Sequence, residues 1–244
     1  MNRPSSAPWP PFADVETSSE GYARRFSGEA GKFFLEVQTR ITLELLKPWP
    51  GARVLDVGGG HGQIAPPLVE AGYNVTVAGS TSACQERLAG QLAPGSYAFQ
   101  IADLLALPFE DKAFDIVLSF RLLPHVESWG LLIAELSRLA GKAVIVDYPD
   151  IRSVNLFSRI FFQAKKAIEK NTRPFRCFSR RELVREFKKN GFSRPLFRPE
   201  FFLPMALHRA LSKGSWSKSM ESFSQRIGLT SLLGSPVILR ETPR

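Results

Sequence analysis

Residues 54–64 read Val-Leu-Asp-Val-Gly-Gly-Gly-His-Gly-Gln-Ile, an apolar run followed by a glycine-rich turn and the start of a new apolar pattern. The apolar run predicts a buried strand, and the spacing after the turn predicts a helix. Glycine is needed between them because the turn is tight and its backbone must approach a ligand closely. This stretch therefore predicts the ligand-binding turn of an α/β fold.

An acidic residue distinguishes this turn from other glycine-rich loops. Asp56 precedes Gly58, Gly60 and Gly62 in the pattern D-x-G-x-G-x-G, which differs from the dinucleotide and P-loop patterns. No lysine follows the last glycine, so a phosphate cradle is disfavoured. A carboxylate at this place repels a pyrophosphate and attracts a cationic amine. His61, inside the turn, is expected to face solvent.

Short apolar runs alternate with helical patterns over the next hundred residues, as in a doubly wound parallel sheet. The predicted strands are residues 53–57, 74–78, 97–102, 114–119 and 143–147, and the predicted helices are residues 64–71, 82–91 and 129–139. Apolar spacing predicts one amphipathic helix from Gly21 to Leu46. Beyond the core, the predicted helices are residues 155–170, 179–190 and 204–226, and the predicted strands are residues 197–203 and 236–240.

Three regions follow from this pattern. Residues 1–20, with prolines at positions 4, 8, 10 and 11, are predicted to be a flexible arm. Residues 21–147 form the ligand-binding core with its N-terminal helix. Residues 148–244 supply basic cap helices and the terminal strands of the same fold.

Composition excludes several classes of protein. Cys84 and Cys177 lie far apart and the three histidines do not cluster with them, so we expect no disulfide framework and no metal site. No run of roughly 20 apolar residues is present, and no signal-peptide pattern opens the chain. We expect a cytoplasmic protein.

Several features after the glycine turn occur in a recognisable order. Asp103 follows the third predicted strand, the fourth reads Phe-Asp-Ile-Val-Leu-Ser-Phe over residues 114–120, and His125 comes shortly after it. With these features, residues 53–147 resemble the class I S-adenosylmethionine-dependent methyltransferases, especially the small-molecule branch that includes ubiquinone and menaquinone methyltransferases. The resemblance implies a Rossmann-like, seven-stranded, mostly parallel sheet with an antiparallel last strand, an N-terminal helical lid and C-terminal cap helices. It also implies S-adenosylmethionine as the cofactor and S-adenosylhomocysteine as its product.

The resemblance assigns roles around the glycine turn. Gly58, Gly60 and Gly62 would let the turn pass under the cofactor, with Asp56 near its methionine end.

It assigns further roles elsewhere. Asp103 would accept a hydrogen bond from the adenine amine, the backbone amide of Leu104 would meet an adenine ring nitrogen, and Phe120 would border the methyl donor. Tyr22 and Phe26 resemble aromatic residues that fold over the cofactor, and plain packing of an N-terminal helix is an equal alternative.

One position departs from the family. Gly79 stands at the end of the second strand, where the family usually carries an acid that binds both ribose hydroxyls. Ser80 or Thr81 would supply only one hydrogen bond there, worth about 0.5 to 1.5 kcal/mol. Lower cofactor affinity, compensation by another residue and loss of catalysis all remain open. If the chain binds the cofactor weakly, we expect a Gly79→Asp or Gly79→Glu variant to bind it more tightly.

Methyl transfer from a sulfonium needs alignment of the reactants more than a base. His125 is the candidate catalytic base for a phenol or enol proton, and a structural role is its alternative. Arg121 would pair with a carboxylate substrate or an acidic neighbour. The implied function is methyl transfer to an oxygen or carbon of a small, hydrophobic or aromatic acceptor. The alternatives are a non-catalytic methyltransferase-like binding protein and an RNA methyltransferase.

The net charge of +9 is unevenly distributed. Residues 1–147 carry 12 basic and 16 acidic side chains, whereas residues 148–244 carry 20 and 7. In the basic region, phenylalanines alternate with Lys and Arg. We interpret it as a solvated face, as a surface for anionic membrane lipids, or as a nucleic-acid surface. The lipid interpretation predicts a peripheral position at the membrane. Nucleic acid is disfavoured because no RNA-binding module accompanies the charge. The oligomeric state stays open.

Overall fold

A computed structural model describes residues 13–153, 175–203, 208 and 214–244, and of residues 214–218 only the backbone. A seven-stranded sheet forms the centre of this part of the chain. Its strands are β1 Arg53–Val57, β2 Asn74–Gly79, β3 Ala98–Ile101, β4 Phe114–Ser119, β5 Ala140–Tyr148, β6 Leu196–Pro199 and β7 Val237–Glu241. Their order is β3-β2-β1-β4-β5-β7-β6, and β7 runs antiparallel to both of its neighbours while the remaining pairs are parallel. The predicted fold class is confirmed.

Helices cover the sheet and its carboxyl edge. They are α1 Ala13–Thr17, α2 Glu20–Ala23, α3 Gly28–Leu46, α4 Ala65–Glu70, α5 Ala83–Ala89, α6 Trp129–Leu139, α7 Arg180–Lys189, α8 Gly214–Arg226 and α9 Leu229–Leu233. Short 3-10 turns lie at Arg24–Phe26, Gly59–His61 and Leu123–His125. None of the described helices is long and apolar enough to cross a membrane.

The central strands are apolar on both faces because helices cover both faces. Side chains alternate between two buried clusters along β1, where Leu55 and Val57 belong to one and Val54 to the other. Helices α6 and α7 complete the first cluster, and α3 and α4 complete the second. Both clusters therefore hold the carboxyl ends of β1, β2, β4 and β5 in fixed positions.

The N-terminal region differs from the prediction in two ways. Residues 13–17 of the predicted flexible arm form α1, in which Asp14 is fully buried, so the prolines precede this helix. The single helix predicted from residue 21 is broken before Gly28, whose φ is +72°. Gly31 fits close to this break, because a Cβ there would lie 2.1 Å from the Phe26 carbonyl carbon.

The C-terminal region agrees with the prediction over residues 179–190, where α7 forms with Ser179 as its N-cap. Ser179 Oγ accepts a hydrogen bond from Glu182 N at 3.2 Å, and Gly191 with φ +86° follows the end of α7. The strand predicted over residues 197–203 is β6, Leu196–Pro199, and it ends earlier because Pro199 pairs with Val237, the first residue of β7. The predicted helix 155–170 lies outside the described residues, and of the predicted helix 204–226 the structure describes α8 and His208.

Candidate functional site

The glycine turn lies at the carboxyl end of β1. Strand β2 flanks β1 on one side and β4 flanks it on the other, so the strand order reverses at this point. Ligands of open α/β sheets bind at such a reversal of strand order. Gly58 and Gly62 have φ values of +77° and +65°, which glycine adopts without steric cost. Gly58 N donates to the Ala78 carbonyl at 2.8 Å, so the turn is tied to β2.

Asp56 lies beneath this turn as a buried acid. Among the described residues neither of its carboxylate oxygens has a hydrogen-bond partner, and the side chain is fully buried. Burial and, to a smaller extent, the charge of Asp147 raise the pKa of Asp56 to about 7. A buried carboxylate without donors is costly, so this group is suited to receive a cationic or donor group of a ligand.

His61 is buried inside the turn, so the expectation that it faces solvent is wrong. Its Nδ1 accepts a hydrogen bond from Gln63 N at 3.1 Å, which assigns the proton to Nε2. Burial and the charge of Arg121 lower the pKa of His61 to about 3. The imidazole is therefore neutral, and Arg87 Nε fixes the turn against α5 by donating to the His61 carbonyl at 3.0 Å.

The end of β2 has no space for the acid that the family carries there. A Cβ on Gly79 would lie 2.8 Å from Phe99 Cζ and 2.9 Å from Cys84 Cβ. A larger side chain would displace the ring and α5, so the structure does not support the expectation that Gly79→Asp tightens binding.

A different carboxylate, Asp14 of α1, lies at the end of β2. Ser80 donates to it from its backbone N at 2.7 Å and from its Oγ at 2.6 Å. Cys84 Sγ donates to Asp14 Oδ2 at 3.2 Å. Sequence analysis missed this residue because 66 positions separate Asp14 from Ser80 and no local pattern connects them.

The residues predicted for the adenine lie beside this end of β2. Ala102 N donates to the Gly79 carbonyl at 3.0 Å, which places the segment after β3 next to β2. Asp103 is exposed and accepts from Leu105 N at 2.9 Å, whereas Leu104 is buried. The structure therefore brings the predicted adenine and ribose positions together, and their roles remain predictions.

The lid residues Tyr22 and Phe26 are buried on the side of this edge where Arg121 lies. Their ring centroids are 5.7 Å apart, and the Arg121 guanidinium carbon lies 4.2 Å from the Phe26 centroid. Phe120 is fully buried in the same apolar cluster. Contact with a cofactor and plain helix packing both remain compatible with these positions.

Arg121 connects this lid to a buried acidic pair. Its backbone N donates to Asp147, and its side chain donates to Gln63 Oε1 at 2.6 Å and also to Gln38. Burial raises the pKa of Glu200 to about 8 against the opposing charge of Arg121, and Glu200 Oε1 has no partner among the described residues. The acidic neighbours expected for Arg121 are therefore Asp147 and Glu200, since the charges of both act on its side chain. Sequence analysis missed Glu200. Its position directly after β6 could have shown that it lies at the same edge of the sheet as Asp147 at the end of β5.

His125 lies in the short turn after β4, half-buried against the C-terminal region. Its ring centroid is 5.5 Å from that of Phe175, and Arg176 N donates to the Pro124 carbonyl at 3.0 Å. Its catalytic role stays a prediction.

Of the eight described phenylalanines of the basic region, four are core residues, whereas Phe175 and Phe223 are exposed. Phe178, Phe187, Phe192 and Phe201 are buried, so they are not available to stack on bases or enter a bilayer. Among the described residues, Arg181, Arg185 and Lys188 are exposed on one face of α7, opposite the buried Leu183 and Phe187. Phe161, Phe162 and the lysines near them lie outside the described residues.

Comparisons with known sequences agree with this arrangement. A family model described as a methyltransferase domain matches residues 55–144. The 2-methyl-6-phytyl-1,4-hydroquinone methyltransferase of Synechocystis sp. is 36% identical over 106 residues, which cover 41% of this chain and 33% of that protein. The match thus spans about a third of the length of that curated relative.

Solved structures share the whole architecture. One, described as a possible histamine N-methyltransferase from Thermotoga maritima, gives a TM-score of 0.64 at 19% identity, over 95% of this chain and 99% of that one. Magnesium protoporphyrin IX methyltransferase from Synechocystis PCC 6803, with bound SAH, gives 0.63 at 18% identity, over 93% and 96% of the two chains. At these identities the two structures establish the fold alone.

Proposed function

We propose that this chain is a class I S-adenosylmethionine-dependent methyltransferase, which transfers a methyl group to an oxygen or carbon of a small, hydrophobic or aromatic acceptor. The observation that carries the proposal is Asp56, a buried carboxylate without a partner in the described residues, beneath a glycine turn at the switch point of the sheet. The methionine end of the cofactor bears the ammonium group that such a carboxylate would hold.

The described residues fit the cofactor unequally at its two ends. At the methionine end, Asp56 and the left-handed glycines offer an acceptor and a close backbone approach. At the adenine end, Asp103 and the amide of Leu104 would bind the ring, and the segment that carries them begins beside β2. At the ribose, Gly79 offers no acceptor and Asp14 lies on Ser80.

When bound, the cofactor supplies a methyl group that is already activated on a sulfonium. The chain then has to hold the two reactants in line and exclude water. Tyr22, Phe26 and Phe120 would form the apolar wall over the reacting groups. His125 would receive the proton of a phenolic or enolic acceptor.

The acceptor class is supported by the lid and by the relatives. The lid presents aromatic rings and one stacked arginine, which suit a planar or apolar molecule. By their names, the two Synechocystis relatives methylate a hydroquinone and a magnesium porphyrin. We therefore place aromatic alcohols and quinols first among the acceptors.

The test is isothermal titration of the full chain with S-adenosylhomocysteine, followed by transfer of labelled methyl to an acceptor panel. The panel pairs a hydroquinone with an aliphatic alcohol of similar size. Binding and transfer to the hydroquinone alone are expected. The absence of binding at millimolar ligand would contradict the proposal, whereas binding without transfer to any acceptor would favour a non-catalytic binding protein.

The basic C-terminal region is proposed to contact an anionic membrane surface and so bring the protein to an apolar acceptor. Because the apolar face of α7 is packed in the core, this contact would be electrostatic, worth about 1 kcal/mol per basic side chain near the surface. Co-sedimentation with anionic but not neutral vesicles is expected. Replacing Arg181, Arg185 and Lys188 by glutamate should abolish it, and strong salt-sensitive binding to RNA instead would favour the RNA alternative.

A further inference from the structure

The residues predicted to bind adenosine are covered by a helix of the chain itself. Asp14 of α1 is fully buried, and it accepts hydrogen bonds from the amide and hydroxyl of Ser80 and from the thiol of Cys84. Charge-assisted hydrogen bonds of this kind are the stronger ones in proteins. The three donors surround the end of β2, where the ribose of the cofactor is expected.

Two neighbours of Asp14 extend this cover. Ala13 belongs to the buried cluster that contains Ala78 and Leu104, the side predicted for the adenine. Ser18 lies against the turn, since a Cβ on Gly60 would come within 2.4 Å of Ser18 Oγ. Helix α1 and Ser18, which directly follows it, therefore occupy space on both the adenine and the glycine-turn sides of the predicted ribose position.

The glycine turn itself is buried in this arrangement. Three glycines of the turn, Gly58, Gly59 and Gly60, are buried. The role predicted for the turn requires a ligand to contact its backbone. A ligand in contact with the backbone of Gly60 would need the space that Ser18 fills.

We propose that α1 is an internal competitor of the cofactor, held by Asp14 at the end of β2, and that cofactor binding requires α1 to leave. The inference rests on the proposed function, because it concerns the adenosine half of the same site. A five-residue helix has little stability of its own, so Asp14 and its three partners are the main restraint on its position.

The thermodynamic consequence is a reduced apparent affinity. When only an open fraction of the protein can bind, the measured dissociation constant equals the intrinsic one divided by that fraction. Weakening the hold of Asp14 raises the open fraction. Loss of one charge-assisted hydrogen bond would change this equilibrium roughly tenfold.

The first experiment titrates S-adenosylhomocysteine into the wild type, Asp14→Asn and Glu16→Gln. Glu16→Gln is the matched control, because Glu16 lies on the same helix and its side chain is half-exposed. Its carboxylate lies 3.6 Å from the guanidinium of Arg25. Asp14→Asn should bind about tenfold more tightly and Glu16→Gln like the wild type. Unchanged affinity of Asp14→Asn would overturn the proposal. Weaker binding would also overturn it and would identify Asp14 as the acceptor for the ribose hydroxyls.

The second experiment needs no cofactor, so it separates this proposal from the proposed function. Cys84 is buried under α1, and Cys177 is a more accessible thiol that serves as the reference. Alkylation of Cys84 relative to Cys177 should be faster in Asp14→Asn and unchanged in Glu16→Gln. Rates are compared at the pH-independent plateau of each thiol, because burial and the charge of Asp14 raise the pKa of Cys84.

The combined outcomes are distinct. If Cys84 is alkylated faster in Asp14→Asn but no variant binds the cofactor, α1 can leave the end of β2 and the proposed function is contradicted. Such a result would also overturn the role of α1 as a competitor of the cofactor. Equal alkylation in all variants would overturn the proposal, whatever the cofactor does.

Discussion

Asp56→Asn removes a buried negative charge from beneath the glycine turn and keeps the shape of the side chain. In the free protein the pKa of Asp56 is raised to about 7 by burial and by Asp147. If the carboxylate holds the ammonium of the cofactor, only the ionised form binds well. The ionised fraction is about one tenth at pH 6 and about nine tenths at pH 8, so affinity should rise about tenfold between them.

The assay is isothermal titration with S-adenosylhomocysteine at pH 6, 7 and 8, in two buffers that differ in ionisation enthalpy. At pH 6 we expect about one proton to be released per ligand bound. The Asn variant should lose this release and bind roughly 10 to 100 times more weakly at pH 8, since a charged hydrogen bond is worth about 1.5 to 3 kcal/mol. Glu200→Gln is the control, because Glu200 is a second buried acid at this edge whose pKa is raised to about 8.

A result with the opposite sign would refute the reasoning. Affinity that is constant within twofold from pH 6 to 8, or that falls with pH, would exclude Asp56 as the acceptor. So would a pH dependence that persists in Asp56→Asn and disappears in Glu200→Gln.

The free protein offers an independent measurement of the same group. Between its unfolded pKa of 3.8 and its folded pKa of about 7, Asp56 keeps its proton only in the folded state, so stability is lost as pH rises through this range. The loss attributable to Asp56 is about 4 kcal/mol at most, complete above pH 7. Chemical unfolding of Asp56→Asn should lack this part of the decline.

Three further outcomes are expected. Gly79→Asp should lower the free energy of unfolding by about 1 to 3 kcal/mol without tightening the binding of S-adenosylhomocysteine, because Phe99 and Cys84 fill the space of its Cβ; urea unfolding and titration measure the two effects. His125→Gln should lower kcat at least tenfold at neutral pH and leave the cofactor dissociation constant unchanged, as initial rates and titration would show, and an equal kcat would leave His125 a structural role. Ser179→Ala should destabilise the protein by about 1 kcal/mol, measured by thermal unfolding, because it removes the cap of α7.

The parts of the fold that could be predicted are those encoded locally. The turn after β1 has its strand, its glycines and its acid within nine residues, Val54 to Gly62, and the Ser179 cap of α7 spans four residues. The break before Gly28 was not predictable in the same way, because the apolar spacing continues across it and the close packing of Gly31 on Phe26 is visible only in three dimensions.

The site itself could be predicted only in part. Asp56 and the glycines were identified by their spacing. Asp14 reaches the site from a distant position and leaves no local pattern in the sequence, whereas the position of Glu200 directly after β6 was a signal that the sequence analysis did not use. His61 was expected in solvent because polar residues in turns are usually exposed. Its burial results from α1 and α5 closing over the turn.

The position of β7 between β5 and β6 has a consequence for synthesis on the ribosome. Residues 196–199 are made before residues 237–241, so β6 has no strand to pair with until β7 has been translated. The Arg240 side chain then donates to the Leu45 carbonyl at 2.9 Å, joining segments 195 residues apart. Contacts of such long range are slow to form, so a nascent chain exposes an unpaired β6 edge late in translation. Strand β6 can therefore join the sheet only after β1 to β5 and β7 have all been made.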